Sequence, residues 1–122
     1  MGQSVYGGTK AALEAMTRTW ARELAERATV NAVNPGPVKT DMWFSTGEDF
    51  QKHLKPWIEK TPGSAIRPEI DDKALVDGAV KAGGRPAYVE EIGGVVGMLC
   101  TPDSLWCTGQ VVCANGGMRM AI

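Results

Sequence analysis

Thr29-Val30-Asn31-Ala32-Val33-Asn34, closed by Pro35-Gly36-Pro37, decides how the chain is read. Apolar and polar residues alternate up to Asn34, where proline removes a ladder donor and glycine permits a turn, so 29–34 reads as a strand ending in a loop. Upstream, Leu13, Met16, Trp20 and Leu24 recur at helical spacing and predict a helix from about Val5 to Arg27, with Trp20 in the core and Ser4 capping the N-terminus. Downstream the pattern loosens between Met42 and Arg85, where Pro56, Pro62 and Pro68 interrupt short helices expected at Glu48 to Lys60 and Asp71 to Lys81. Val89, Ile92, Val95, Val96 and Leu99 then predict a helix over 87–100, and Gly109 to Ala114 reads as a second strand turning at Asn115-Gly116-Gly117. This order is one crossover unit of a parallel α/β sheet. Two strands are few for such a sheet, so the first strand is expected to need a neighbour along its edge.

The chain has 122 residues, the length of one domain, with 43% hydrophobic and 22% charged residues, an ordinary globular composition. Its 13 Lys plus Arg against 14 Asp plus Glu leave a net charge of -1, which provides no basic stripe for a phosphate backbone and argues against nucleic acid. No apolar run approaches the ~20 residues of a bilayer span and no leader-like segment precedes the first helix, so a cytoplasmic protein without membrane attachment is expected. Cys100, Cys107 and Cys113 form no CxxC and are expected to be buried thiols, while His53 in its polar stretch is expected at the surface. No metal site is expected. Arg85 and Glu91 read as ordinary surface charges.

Tyr6 and Lys10 lie four apart and share a helix face, where an ammonium beside a phenol favours proton exchange near neutral pH. By spacing alone the pair reads as a solvated helix face. Four ordered blocks add to it: Tyr6-Gly7-Gly8-Thr9-Lys10, Asn34-Pro35-Gly36-Pro37-Val38-Lys39-Thr40-Asp41, Gly84-Arg85-Pro86 ahead of Glu90-Glu91-Ile92, and Thr108-Gly109-Gln110 ahead of Asn115-Gly116-Gly117. Together they resemble the C-terminal half of the short-chain dehydrogenase/reductase family. The resemblance spans nearly the whole chain and is weakest from Met42 to Gly83, where that family places a variable substrate lid.

The resemblance implies a single truncated domain over 1–122, the C-terminal portion of a Rossmann-type doubly wound sheet, with 42–83 as the lid-like insert. It implies Tyr6 as the catalytic acid/base and Lys10 as its partner, which also bonds the nicotinamide ribose. Pro35, Gly36, Pro37 and Val38 are then the loop against nicotinamide, and Thr40 the hydroxyl that contacts its carboxamide or the pyrophosphate. The implied cofactor is NAD(P), and the implied substrate a small carbonyl or alcohol. Trp43, Phe44 and Trp57 are lid candidates, although with Phe50 they serve equally well as core. Asn115 stands where an aspartate is common before the paired glycines.

The family's first half, with its glycine-rich pyrophosphate turn and its catalytic serine, is not in this sequence, so binding of NAD(P) by this chain alone is expected to be poor. Three readings follow. One is an oxidoreductase in truncated form, complete only in an assembly or beside a complementary N-terminal half. Another is a cofactor-independent Tyr6/Lys10 acid/base enzyme, an isomerase, dehydratase or cyclase. A third is a non-catalytic assembly partner of a full-length family member. All three expect a homo-oligomer or a complementary half to cover the open strand edge. The midpoint of thermal unfolding is accordingly expected to rise with protein concentration, and a midpoint independent of concentration would contradict that assembly.

Overall fold

The computed structural model describes residues 3–120. Its elements are α1 (Gln3–Glu23), β1 (Ala32–Pro35), α2 (Asp41–Ser45), α3 (Glu48–Ile58), α4 (Lys73–Ala82), α5 (Val89–Leu99) and β2 (Val111–Ala114), with 3-10 turns at Pro62–Ser64 and Pro102–Ser104. The expected order of helix, strand, helical insert, helix and strand is present. β1 pairs with β2 in parallel, with Ala32 N–H donating to Gln110 O at 2.9 Å and Gly36 N–H to Ala114 O at 3.2 Å. The chain divides into two compact units, Met1–Asn34 with Gly94–Val112 and Pro35–Gly93 with Cys113–Ile122.

In the first unit, β1 starts later than the alternation predicts. Side chains replace the ladder there: Val30 N–H donates to Thr108 Oγ1 at 3.0 Å, Asn31 Nδ2 to Cys107 O at 2.8 Å, and Gln110 N–H to Asn31 Oδ1 at 3.1 Å. Gly109, at φ 72°, turns the chain into β2, which therefore begins at Val111 rather than Gly109. Helix α1 stops at Glu23 and runs out through a turn in which Ala28 N–H donates to Leu24 O. Ser4 lies inside α1 rather than capping it.

The face that α1 buries differs from the one its apolar stripe predicts. Thr17 and Ala21 are buried, whereas Leu13, Met16 and Trp20 are exposed, Trp20 at 41%. A Cβ on Gly109 would stand 3.4 Å from Ala21 Cβ, so the backbones approach where both residues are small, and Thr17 satisfies its hydroxyl on Leu13 O at 2.9 Å. Trp20 is therefore not core in this chain. Nor are the cysteines buried, since Cys100 and Cys113 are exposed and Cys107 is half-buried.

The second unit has its own small core of Trp43, Ile58 and Leu75, with α3 packed on α4. Lys55 Nζ ties these helices together by donating to Val80 O at 2.8 Å, and Lys81 pairs with Glu48. Phe50 and Trp57 are exposed and close no core, and His53 is exposed as expected. Among the described residues no helix is long and apolar enough to cross a membrane, and no group of three or more His, Cys, Asp or Glu is placed to hold a metal.

Gly84 is the tightest point of this unit. Its φ is 151°, a Cβ there would lie 2.5 Å from Ser64 O, and the next residue's N–H donates to that same oxygen at 2.9 Å. Gly84→Ala is expected to destabilise the protein by about 1–3 kcal/mol in a denaturant melt, through strain at a backbone angle that side chains avoid.

Candidate active site

Tyr6 and Lys10 project from the N-terminal half of α1, one helical turn apart. The Lys10 ammonium lies 5.5 Å from the centroid of the Tyr6 ring, within cation–π range, and Tyr6 is 61% exposed. No carboxylate among the described residues pairs with Lys10. The spacing that marked the pair in sequence thus brings a solvent-accessible hydroxyl and an ammonium onto one face. Gly7 and Gly8 add no bulk beside them, and a Cβ at either position would meet nothing within 4 Å.

The segment Pro35–Thr40 lies in the second unit and is held by backbone. Gly36 approaches Asn115 so closely that a Cβ would meet its Cα at 3.1 Å. Val38 forms a parallel bridge to Ala87, in which Ala87 N–H donates to Pro37 O and Lys39 N–H to Ala87 O, both at 2.8 Å. Thr40 is the N-cap of α2, its Oγ1 accepting from Trp43 N at 3.4 Å and donating to Val38 O at 3.3 Å. Its single O–H is therefore already donated within the chain.

Of the lid candidates, Trp43 and Phe44 are brought together over a cavity of about 160 Å³ that Gln51, Leu75 and Pro86 also line. Trp57 does not line it. Asn115 behaves as more than a substitute for aspartate: its Oδ1 accepts from Gly117 N at 3.0 Å and its Nδ2 donates to Arg119 O at 3.0 Å. A carboxylate could make only the first of these bonds.

A polar cluster in the same unit was not legible as such in the sequence. Arg85 is buried, at 6% exposure, rather than an ordinary surface charge, and its guanidinium grips Glu91 at 2.7 and 2.9 Å. Its Nε lies 3.7 Å from the fully enclosed Asp71 carboxylate and has no hydrogen-bond partner. Asp71 accepts from Arg67 Nη2 at 2.7 Å and from Arg67 N at 2.6 Å. These bonds hold Asp71 below the usual carboxylate range against the opposing effect of burial, and the Arg85 hydrogen bonds do the same for Glu91. The Gly84-Arg85-Pro86 and Glu90-Glu91 strings were visible. The contribution of Arg67 and Asp71 required the loop between the 3-10 turn at Pro62–Ser64 and α4 to fold back, which no local spacing announces.

A family model described as Enoyl-(Acyl carrier protein) reductase matches residues 1–74. L-xylulose reductase of Aspergillus niger is 59% identical over 129 residues, an alignment covering 97% of this chain and 42% of that protein. The chain belongs to the short-chain dehydrogenase/reductase family. A further member of this group of relatives, L-xylo-3-hexulose reductase of Hypocrea jecorina, is 51% identical over 100% of the chain and 43% of its own length. Among solved structures, a short-chain dehydrogenase/reductase of the glucose/ribitol dehydrogenase type from Brucella melitensis superposes with a TM-score of 0.70 at 30% identity, covering 99% of this chain and 40% of that one. A Serratia marcescens short-chain dehydrogenase/reductase variant gives 0.67 at 30% identity, over 98% and 39%. The chain thus spans about two fifths of the length of these relatives, and its two strands and flanking helices are the matching part of their fold.

The ionic cluster is expected to set an acid limit on stability. Asp71 and Glu91 have lowered pKa values in the folded state, so the stability they contribute is present above the ordinary carboxylate range and is lost as pH falls through their depressed values. Thermal midpoints measured from neutral to acidic pH are expected to fall on that side. Asp71→Asn is expected to flatten the acid limb and to cost about 1.5–3 kcal/mol at neutral pH through the lost charge-assisted bonds.

Proposed function

We propose that this chain carries the acid/base part of a short-chain dehydrogenase/reductase oxidoreductase that interconverts a small keto-sugar and its polyol with NAD(P)(H). The observation that carries the reading is the Tyr6/Lys10 pair, a solvent-accessible phenol and an ammonium 5.5 Å from its ring, on a chain 59% and 51% identical to two proteins named as ketose reductases. The donor set suits the nicotinamide half of a dinucleotide: Lys10 has no carboxylate partner among the described residues and can donate to ribose hydroxyls, and Tyr6 sits one turn away on the same face. Backbone between Pro35 and Val38, apolar and fixed by the Ala87 bridge, is the second candidate cofactor contact. Thr40 is a weaker candidate because its hydroxyl caps α2.

When bound, the nicotinamide supplies or accepts the hydride. Tyr6 Oη would then hold the proton delivered to the substrate oxygen during reduction, or take it during oxidation. Lys10 would hold positive charge beside that phenol and orient the ribose. Trp43 and Phe44, at the cavity in the second unit, are the candidate substrate-facing side chains of the insert.

The test is turnover of L-xylulose by this chain combined with the complementary N-terminal half of a family member, followed by nicotinamide absorbance with NADPH and NADH in turn. Tyr6→Phe is expected to lower kcat by about 10²–10⁴-fold with little change in KM for the coenzyme. Lys10→Met is expected to raise that KM as well as to lower kcat. Full activity in Tyr6→Phe, or turnover of the sugar without nicotinamide, would overturn the reading.

A further inference from the structure

Two cations lie within reach of the Tyr88 ring. The Lys39 ammonium lies 5.3 Å and the Arg85 guanidinium 5.4 Å from its ring centroid. Its hydroxyl accepts from Asp72 N at 2.9 Å and reaches Asp71 Oδ1 at 3.4 Å, and its own N–H donates to Glu91 Oε2 at 2.8 Å. Asp72 in turn pairs with Lys39, the residue whose N–H closes the Val38 to Ala87 bridge. The Asp72 hydrogen bond raises the Lys39 pKa above its ordinary value. A closed circuit therefore runs from the hydroxyl of Tyr88 through Asp72 to Lys39 and back through Ala87, its neighbour in sequence.

Each link bears on the same short loop. Pro35 and Pro37 have no N–H, so the segment Pro35–Thr40 can be fixed by few backbone bonds of its own. The bridge to Ala87 supplies two of them. Ala87 is itself placed between two held residues, Arg85 two positions before it, held by Glu91, and Tyr88 directly after it, held by Glu91 and Asp72. Lys39 is held from its side chain by Asp72 and from its main chain by Ala87. Freeing the Asp72 amide would loosen the anchor of Lys39 and with it the loop.

We infer that Tyr88 is a positioning residue for the loop Pro35–Thr40, its hydroxyl fixing Asp72 so that Lys39 and the Val38 to Ala87 bridge hold the loop in one conformation for the coenzyme. The inference rests on the reading of that loop as a cofactor contact and deepens it. Tyr88→Phe removes the hydroxyl and leaves the ring beside both cations, so folding is expected to be retained. Lys39→Met removes the other end of the circuit.

Two measurements test it. In hydrogen exchange the Lys39 amide is expected to exchange about three- to tenfold faster in Tyr88→Phe than in the parent, the factor set by one lost hydrogen bond. In steady-state kinetics the coenzyme KM is expected to rise by about the same factor in each single variant, with kcat and the KM for the sugar little changed. The double variant is expected to rise less than the product of the two, since both act through Asp72. A lowered melting temperature with unchanged Lys39 exchange and unchanged coenzyme KM would overturn the inference and make Tyr88 a purely structural residue. Unmodified protein that neither binds nor uses nicotinamide beside the complementary N-terminal half would overturn the cofactor reading instead, and unchanged exchange in Tyr88→Phe would then dismiss the loop circuit independently.

Discussion

A guanidinium taken almost completely out of water must find carboxylates, and Arg85 finds two. Glu91 binds it through both terminal nitrogens, while Asp71, enclosed and held by Arg67, stands beside its Nε. Removing a partner from such a pair costs far more than the pair contributes against a hydrophobic alternative, so its value lies in specifying one arrangement of the loops that provide it. Those loops are the segment before α4, the turn at Gly84 and the start of α5. The second unit has little apolar core to do this by packing, with Trp43, Ile58 and Leu75 as its principal buried hydrophobic residues.

From that arrangement the rest of the unit follows. Gly84 lets the chain pass Ser64 where no side chain fits, which delivers Arg85 to its partners and Ala87 to Val38. Asp72, drawn to Lys39 rather than capping α4 with its side chain, joins the start of that helix to the loop after β1. The turn Asn115-Gly116-Gly117 closes the same unit, with Asn115 using both ends of its amide and Gly116 pressed against Gly63. Ionic and backbone constraints thus substitute for a large core.

The first unit works by another device. The close approach of α1 depends on Ala21 and Gly109 being small, and the residues before β1 borrow side-chain hydrogen bonds from Asn31 and Thr108. Its larger apolar residues remain at the surface, Trp106 fully so, and Leu13, Met16 and Trp20 along α1. Chemistry-bearing side chains are placed by helix geometry alone. Tyr6 and Lys10 need nothing beyond the 3.6-residue period to share a face.

This division explains what could be read in advance. Element order, the parallel α/β class, the helices at 48 and 89, and the Tyr6/Lys10 pair all follow from short-range periodicity and spacing, which the sequence determines by itself. The four ordered blocks determine kinship for the same reason, because they are local strings. Tertiary structure alone decided which face of α1 is buried, since close backbone contact at Gly109 selects small residues over the apolar stripe. It also decided the exposure of Trp20, Cys100 and Cys113 and the burial of Arg85. That last choice joins Arg67, Asp71, Arg85 and Glu91 across up to 24 positions of the chain, and ion pairing at such separations leaves no periodic trace because charges attract through space and not along the backbone.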